Sequence, residues 1–292
     1  MTQETQEEIN EALRLHQLWV DGKEGGKRAA LQGAALRDAD LAGANLKEAD
    51  LRDVDLERAD LTGADLTGAE LEGTYLRWAN LKEAYLKGAN LKEANLYGAD
   101  LRGANLYGAN LKEAILKGAK LQDADLQVAD LTWAKLQKAD LAGANLKEAD
   151  LRDVDLEGAN LQRANLQRAN LEGANLEGAK LQKADLKGAN LEGADLTGAK
   201  LQKADLAGAN LKEANLRHTN LQWANLRWAK GILRVEGAGN RDYYFVKHQT
   251  CIMVKAGCFW GSLDEFREKA KQEGKEALAE HAISFAKAIL NT

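Results

Sequence analysis

The chain has 292 residues, a formal net charge of −5 and no proline, and charged residues make up 29% of it. So small a net charge excludes a strong overall attraction to nucleic acid or to anionic membranes, and no stretch approaches the roughly eighteen continuous apolar residues of a membrane span. Its two cysteines, Cys251 and Cys258, are fewer than a secreted disulfide framework uses, and the acidic N-terminus lacks the features of a signal peptide. We therefore expect a cytoplasmic protein with reduced thiols and no membrane partner.

The first 28 residues predict an N-terminal helical cap. Between residues 7 and 20, Ile9, Leu13 and His16 fall near one face of a helix, and the glycine pair Gly25 and Gly26 then interrupts it. A repeat array has an open end with apolar interior and unpaired edge groups. A helical segment at this point is expected to cover that end.

Residues 29–230 repeat every five positions. Leucine occupies every fifth position from Leu31 to Leu226, forty times without exception. The residue just before each leucine is mostly Asp or Asn, and the two residues after it are mostly polar, charged or Gly. Alanine stands two residues before each leucine and is replaced at only four positions, by Val54, Thr74, Val154 and Thr219.

A period of five fits neither a helix, which would spread the leucines around its circumference, nor a flat strand, which would send successive leucines to opposite faces. A chain that turns a corner every five residues points each leucine inward, together with the alanine two residues earlier. Four such sides close a square coil of about twenty residues, and the repeats then stack into about ten coils, a rod on the order of 48 Å long. The absence of proline suits hydrogen bonds between coils.

At this point the sequence resembles the pentapeptide repeat family, whose consensus is A(D/N)LXX. Residues 39–43 (ADLAG) and 44–48 (ANLKE) match it directly. The resemblance covers about two-thirds of the chain and implies an all-β solenoid, a right-handed quadrilateral β-helix. Glycine fills eighteen of the forty positions two after leucine, which favours turns with a positive φ there. The other twenty-two positions carry side chains, so the sequence predicts a different turn type on some faces.

After Lys230 the period stops, and residues 231–292 predict a small C-terminal α+β cap. Residues 232–235, 243–246 and 252–254 are short apolar runs typical of strands. Ser262, followed by Asp264 and Glu265, is a good helix start, and residues 275–290 predict a second helix. This tail resembles a C-terminal module of some bacterial pentapeptide repeat proteins, a resemblance that implies no particular activity.

Stacking residues twenty apart brings five cations into three neighbouring coils, as two columns with glutamines between them. We interpret them as a candidate contact for an anion or a partner. The alternative is a solvated face balanced by Asp185 and Asp205. Residues 31–75 have a net charge of −7 and residues 176–230 a net charge of +3, so the rod is electrically asymmetric. The five residues are Arg163, Lys180, Lys183, Lys200 and Lys203.

The thiols and aromatic residues suggest other sites less strongly. His248, Cys251, Cys258 and His281 are four potential zinc ligands, but their spacing matches no common zinc pattern, and buried cysteine more often behaves as a small apolar side chain. We predict no catalytic residue, no metal and no cofactor.

The four tryptophans of the repeats fall on four different faces, which disfavours a ladder of rings that could stack on bases or sugars. The last two are expected to pack against the tail. The four tryptophans are Trp78, Trp133, Trp223 and Trp228.

We interpret the chain as a non-enzymatic structural or protein-interaction scaffold, with an unidentified protein partner, an undetermined oligomeric state and no preference for nucleic acid. Some pentapeptide repeat proteins mimic DNA and protect type II topoisomerases, so a DNA-mimic modulator of such an enzyme is the first alternative. Residues 31–230 carry 31 acidic and 27 basic side chains, which weakens this alternative because mimicry of DNA needs a strongly negative surface. Thiol or metal chemistry in the tail is the second alternative.

Overall fold

The computed structural model describes residues 6–235, 243–247, 252–256, 259–272, 279–280 and 283–284. Helix α1 (Gln6–Val20) comes first and is followed by a long series of stacked coils. Strands β1 (Ile232–Val235), β2 (Tyr243–Lys247), β3 (Ile252–Ala256) and β4 (Phe259–Ser262) then lead to helix α2 (Leu263–Gln272). Most of the helix predicted for residues 275–290 lies outside the described residues.

The repeats form the predicted coils of twenty residues. Each residue that precedes a leucine pairs in parallel with the residue twenty positions further on, from Ala30 with Asp50 to Asn210 with Lys230. Hydrogen bonds join neighbouring coils on both sides of each pair. The Leu41 amide, for example, donates to the Asp60 carbonyl at 2.8 Å. Register between coils is therefore fixed by the backbone at every repeat.

The coil has four sides, and we name each after its first leucine: the Leu31, Leu36, Leu41 and Leu46 faces. Each face contains ten stacked repeats, and the coils are numbered 1 to 10 from the N-terminal end. Within a repeat, the residue before the leucine is the bridge position. The two residues after the leucine are the first and second turn positions, and they project from the corners of the rod.

The leucine and alanine columns form the core. Between residues 46 and 211 every leucine and every inward residue two before it is at most 1% exposed. Two threonines replace alanine without leaving a hydroxyl unpaired. Thr74 Oγ1 donates to the Leu51 carbonyl and Thr219 Oγ1 to the Leu196 carbonyl, both at 2.8 Å. These bonds remove the cost of burying an unsatisfied polar group in an apolar interior.

The turns differ from the prediction. All forty second turn positions have a positive φ, including the twenty-two that are not glycine, whose φ lies between 54° at Asp153 and 63° at Lys183. The amide of the following inward residue donates back to the leucine carbonyl, as from Ala44 to Leu41 at 3.0 Å, which is the pattern of a type II turn. The prediction of a second turn type was therefore wrong. In coils 1 to 9 the amide of the second turn position also donates to the next coil, as from Gly43 to the Thr62 carbonyl at 2.8 Å, and the last coil keeps the same turn without that bond. The positive φ costs about 1–2 kcal/mol for each residue with a side chain.

Helix α1 lies across the first coil. The Gln6 amide nitrogen donates to the Asp40 carbonyl at 3.2 Å, and the Gln6 amide oxygen accepts from the Asp40 amide at 3.3 Å. Ile9 and His16 are the buried residues of the helix. His16 also bonds the backbone of Ala29, where the coils begin. The helix thus supplies partners to backbone groups that the first coil leaves open.

Strands β1 to β4 form one antiparallel sheet in chain order. Strand β4 was not predicted from the sequence, because its four residues carry only a short apolar signal. Helix α2 starts directly after β4 with a reciprocal pair of hydrogen bonds. The Ser262 amide donates to Glu265 Oε2 at 2.7 Å, and the Glu265 amide donates to Ser262 Oγ at 3.2 Å, which is a capping box.

Candidate interaction surfaces

The five cations of the predicted contact lie together on the Leu41 face. Three occupy the second turn position of coils 7, 8 and 9, and two occupy the bridge position of coils 8 and 9. All five residues are exposed, and none forms an ion pair with a described residue. In that order they are Arg163, Lys183, Lys203, Lys180 and Lys200.

The carboxylates expected to balance these cations have another partner. Lys187, on the Leu46 face, bonds Asp185 at 3.2 Å and Asp205 at 3.3 Å. Desolvation raises the pKa of Asp185, but hydrogen bonds from Gln167 and Lys187 outweigh it, and the pKa falls below its usual value. Asp185 therefore stays ionised and shares Lys187 with Asp205 on its own face. Neither of these two carboxylates forms an ion pair with any of the five cations.

The Leu36 face carries an aromatic cluster that sequence analysis did not identify. Trp78, in coil 3, lies edge-on to Tyr97 in coil 4, with ring centroids 5.1 Å apart and an interplanar angle of 82°. The Arg77 guanidinium lies 5.9 Å from the centroid of the same tyrosine ring. Gly98 makes room for the indole, since a Cβ there would come within 2.3 Å of the Trp78 ring. Offsets of nineteen and twenty residues place Tyr97 and Gly98 against Trp78, and this was the signal available in the sequence.

This cluster is exposed and adjoins an open groove. Trp78 and Tyr75 are each 52% exposed. The groove, of about 640 Å³, runs between the Leu31 and Leu36 faces, and its lining combines Tyr75 and Arg77 with three carboxylates and a second arginine. We call Tyr75, Arg77, Trp78 and Tyr97 the aromatic patch. Tryptophan, tyrosine and arginine are the residue types enriched at the energetic centres of protein interfaces.

The remaining repeat tryptophans lie singly on other faces. Trp133 on the Leu31 face is 57% exposed, Trp223 on the Leu41 face 65% and Trp228 on the Leu46 face 75%. The expected packing of Trp223 and Trp228 against the tail stays a prediction, because much of the tail lies outside the described residues. Both occupy second turn positions, whose side chains point away from the rod at its corners.

The four potential zinc ligands, for which no metal was predicted, fall outside the part of the chain that the structure describes. They are His248, Cys251, Cys258 and His281. Within the described part of the chain, no group of three or more His, Cys, Asp or Glu side chains is arranged to hold a metal ion. Among the same residues, no helix is long and apolar enough to cross a membrane.

The family model named Pentapeptide repeats matches the chain in overlapping segments from residue 29 to residue 230, well over half of its length. The chain belongs to the pentapeptide repeat family. Pentapeptide repeat proteins of known structure are right-handed quadrilateral β-helices, and members of the family are in general non-enzymatic repeat proteins. No curated protein sequence matches the chain.

Several solved pentapeptide repeat structures are similar to it. HetL, involved in heterocyst differentiation regulation in the cyanobacterium Nostoc sp. strain PCC 7120, is 36% identical, with 74% of this chain and 92% of HetL covered and a TM-score of 0.39. A pentapeptide repeat protein from the Arabidopsis thaliana thylakoid lumen is 33% identical over 35% of this chain and 68% of its own, with a TM-score of 0.22. QnrB1, a plasmid-mediated fluoroquinolone resistance protein, is 20% identical over 65% of this chain and 85% of its own, with a TM-score of 0.31.

Proposed function

We propose that this chain is a non-enzymatic protein-interaction scaffold of the cytoplasm, and that a partner protein binds the aromatic patch on the Leu36 face. One observation carries the proposal: Trp78, Tyr97 and Arg77 form a contiguous cluster in contact with solvent. Residues of these types dominate binding energy where they meet a partner. The corners around them otherwise carry mainly small, polar or charged side chains.

The backbone beneath the patch is fixed before any partner arrives. The Trp78 amide donates to the Tyr97 carbonyl at 3.0 Å, and the Leu76 amide to the Asn95 carbonyl at 2.7 Å. A rigid surface loses little conformational entropy on binding. Arg77 forms no ion pair with a described residue, so its charge is available. We therefore expect a partner that packs an apolar or aromatic side chain against the exposed Trp78 ring and places a carboxylate against Arg77.

The proposal is tested by comparing four baits in lysate of the source cell: the full chain, Trp78→Ala, Trp133→Ala and a chain without residues 231–292. Trp133→Ala is the matched control, because Trp133 occupies the same turn position, with a similar φ and similar exposure, but stands alone. Partners should be retained by the full chain and by Trp133→Ala, and reduced about tenfold or more by Trp78→Ala. Equal capture by Trp78→Ala would remove the patch from the binding site. Loss of all partners on truncation would assign binding to the tail.

The DNA-mimic alternative has a separate test. The five unpaired cations on the Leu41 face oppose it, because they interrupt the negative surface that it requires. We expect no change in gyrase supercoiling, with or without a fluoroquinolone, when the protein is added. Protection of the enzyme would favour the alternative over a scaffold that acts through the aromatic patch.

A further inference from the structure

The Leu41 face differs in charge between its two halves. Coils 1 to 5 contribute most of its carboxylates and coils 7 to 9 its unpaired cations. From coil 1 to coil 10 its second turn positions are Gly43, Gly63, Glu83, Gly103, Asp123, Gly143, Arg163, Lys183, Lys203 and Trp223. Its bridge positions in the same order are Asp40, Asp60, Asn80, Asp100, Lys120, Asp140, Asn160, Lys180, Lys200 and Asn220. When a column is placed against the same column in reverse order, each facing pair has opposite charges or includes an uncharged residue.

We propose that the Leu41 face binds the Leu41 face of a second copy of this chain, with the two rods antiparallel. A two-fold axis running across the face between coils 5 and 6 keeps every column opposite itself and reverses the order of the coils. Coil 1 then faces coil 10, coil 2 faces coil 9, and so on. This is the self-complementary type of contact that a two-fold dimer requires.

The second turn column matches in both charge and shape. Lys183 of one copy faces Glu83 of the other, and the two-fold axis repeats this pair. Every other bulky side chain in the column faces a residue without a side chain, so that none meets another. These pairs are Arg163 with Gly103, Lys203 with Gly63, Trp223 with Gly43 and Asp123 with Gly143.

The other two columns add opposite charges and no repulsion. Lys200 faces Asp60 and Lys120 faces Asp140 in the bridge column, and no like charges face each other in any of the three columns. The same operation on each of the other three faces brings like charges together. Examples are Asp55 with Asp195 on the Leu36 face, Lys92 with Arg152 on the Leu31 face and Lys87 with Lys187 on the Leu46 face. Like charges that face each other disfavour association, so the Leu41 face is the one whose three columns match without such a contact.

The residues at the centre of the match are available to a partner. Glu83 and Lys183 are exposed, and neither forms an ion pair with a described residue. Asp100 on the same face is already bound, by Arg102 at 2.7 Å, by Lys82 at 3.7 Å and by Lys120 at 3.9 Å, so Lys120 contributes less to the contact than the unpaired cations. The unpaired charges that would drive association are therefore concentrated in coils 2 and 3 of one copy and coils 8 and 9 of the other.

The size of the face sets the strength of the contact. Ten coils at about 4.8 Å, on a side about 10 Å wide, give roughly 500 Å² for each copy and on the order of 1,000 Å² in total, the lower end of specific interfaces. Charges at an exposed interface are screened by salt. We therefore expect a weak dimer that dissociates as salt rises. The Leu36 face stays free in it, so this inference stands or fails independently of the aromatic patch.

Sedimentation velocity of the full chain, from about 1 to about 200 μM, tests the inference at about 50 mM and about 500 mM salt. The wild-type chain should dimerise at low salt and dissociate at high salt. Lys183→Glu alone and Glu83→Lys alone should each weaken dimerisation about tenfold or more. The two substitutions in one chain should restore it, because the pair is then reversed. Lys138→Glu is the matched control, the same change at the same turn position on the Leu36 face, and should leave dimerisation unchanged.

Three results would overturn the inference. One is a wild-type chain that remains monomeric at every concentration in low salt. This result would overturn the inference also if the cations of the monomer were found to bind duplex DNA. Another is a dimer that neither charge reversal weakens. The third is a doubly reversed chain that associates no better than the single variants, since this would show that Lys183 and Glu83 do not face each other.

Discussion

The Nδ1 atom of His16 accepts a hydrogen bond from the backbone amide of Ala29 at 3.0 Å, and so ties helix α1 to the start of the first coil. The imidazole is buried and stacks on Trp19, with ring centroids 5.4 Å apart. Its Nε2 atom is buried without a hydrogen bond of normal geometry. Desolvation lowers the pKa of His16, and the nearby carbonyl of Lys47 opposes this only in part.

We expect the attachment of α1 to weaken in mild acid. The folded pKa of His16 lies below the unfolded value of about 6.5, so the stability contributed by the neutral ring is fully present above about pH 6.5 and is lost as the pH falls through the folded pKa. A protonated Nδ1 can no longer accept from the Ala29 amide. The hydrogen-exchange protection factor of Ala29 should fall between about pH 7 and about pH 5. In His16→Asn, whose side chain does not titrate, it should change little. A constant protection factor in the wild-type chain would contradict this expectation.

Val128 holds the least suitable side chain for its backbone conformation. Its φ is 59°, and a β-branched residue with positive φ is strained. Its side chain is exposed, so replacement removes no packing. Val128→Gly should therefore stabilise the coils by about 1 kcal/mol, measured by guanidinium unfolding. Val128→Ala should gain less, because alanine keeps part of the strain. A loss of stability in Val128→Gly would show that contacts of the valine outweigh its backbone cost.

A comparison of Gly98→Ala with Gly43→Ala distinguishes the cost of backbone strain from the effect of a clash with the aromatic patch. Both have a positive φ at the second turn position, but a Cβ at Gly43 would meet nothing within 4 Å, whereas one at Gly98 would strike the Trp78 ring. Each change to alanine should cost about 1 kcal/mol from strain. Only Gly98→Ala should also displace the indole, which near-ultraviolet circular dichroism detects. An unchanged aromatic spectrum in Gly98→Ala would show that Trp78 does not rest on Gly98.

Leucine truncation should cost more inside the rod than at its end. Leu116 in coil 5 is fully buried, whereas Leu31 in coil 1 is only partly buried. Leu116→Ala should destabilise the protein by about 2–5 kcal/mol, because the fixed register of neighbouring coils prevents the cavity from closing. Leu31→Ala should cost about 1–2 kcal/mol. Equal shifts of the guanidinium midpoint would contradict this difference in core depth.

The period of five predicted the coil because it concerns only inward residues, and the interior is set by the leucine and alanine columns. Turn type could not be predicted from the same pattern. A side chain at Trp78 or Lys183 disfavours a positive φ locally, but hydrogen bonds to the next coil override that preference. The coil of twenty residues predicted the columns of the five cations, because residues twenty apart stack on one face. The contact of Trp78 with Tyr97 could not be predicted from single columns, because it joins the second turn position of one coil to the first turn position of the next.

The uniform type II turn makes the four sides of the coil equivalent as far as the interior is concerned. A single inserted or deleted repeat would leave the core continuous. It would rotate the surface residues C-terminal to it by a quarter turn about the rod axis. The sequence contains such a change of phase: residues 134–149 recur at residues 199–214, an offset of 65 residues or three and a quarter coils. In this architecture the number of repeats determines the direction in which a surface points, and one repeat inserted between Glu83 and Lys183 would send them to different sides of the molecule.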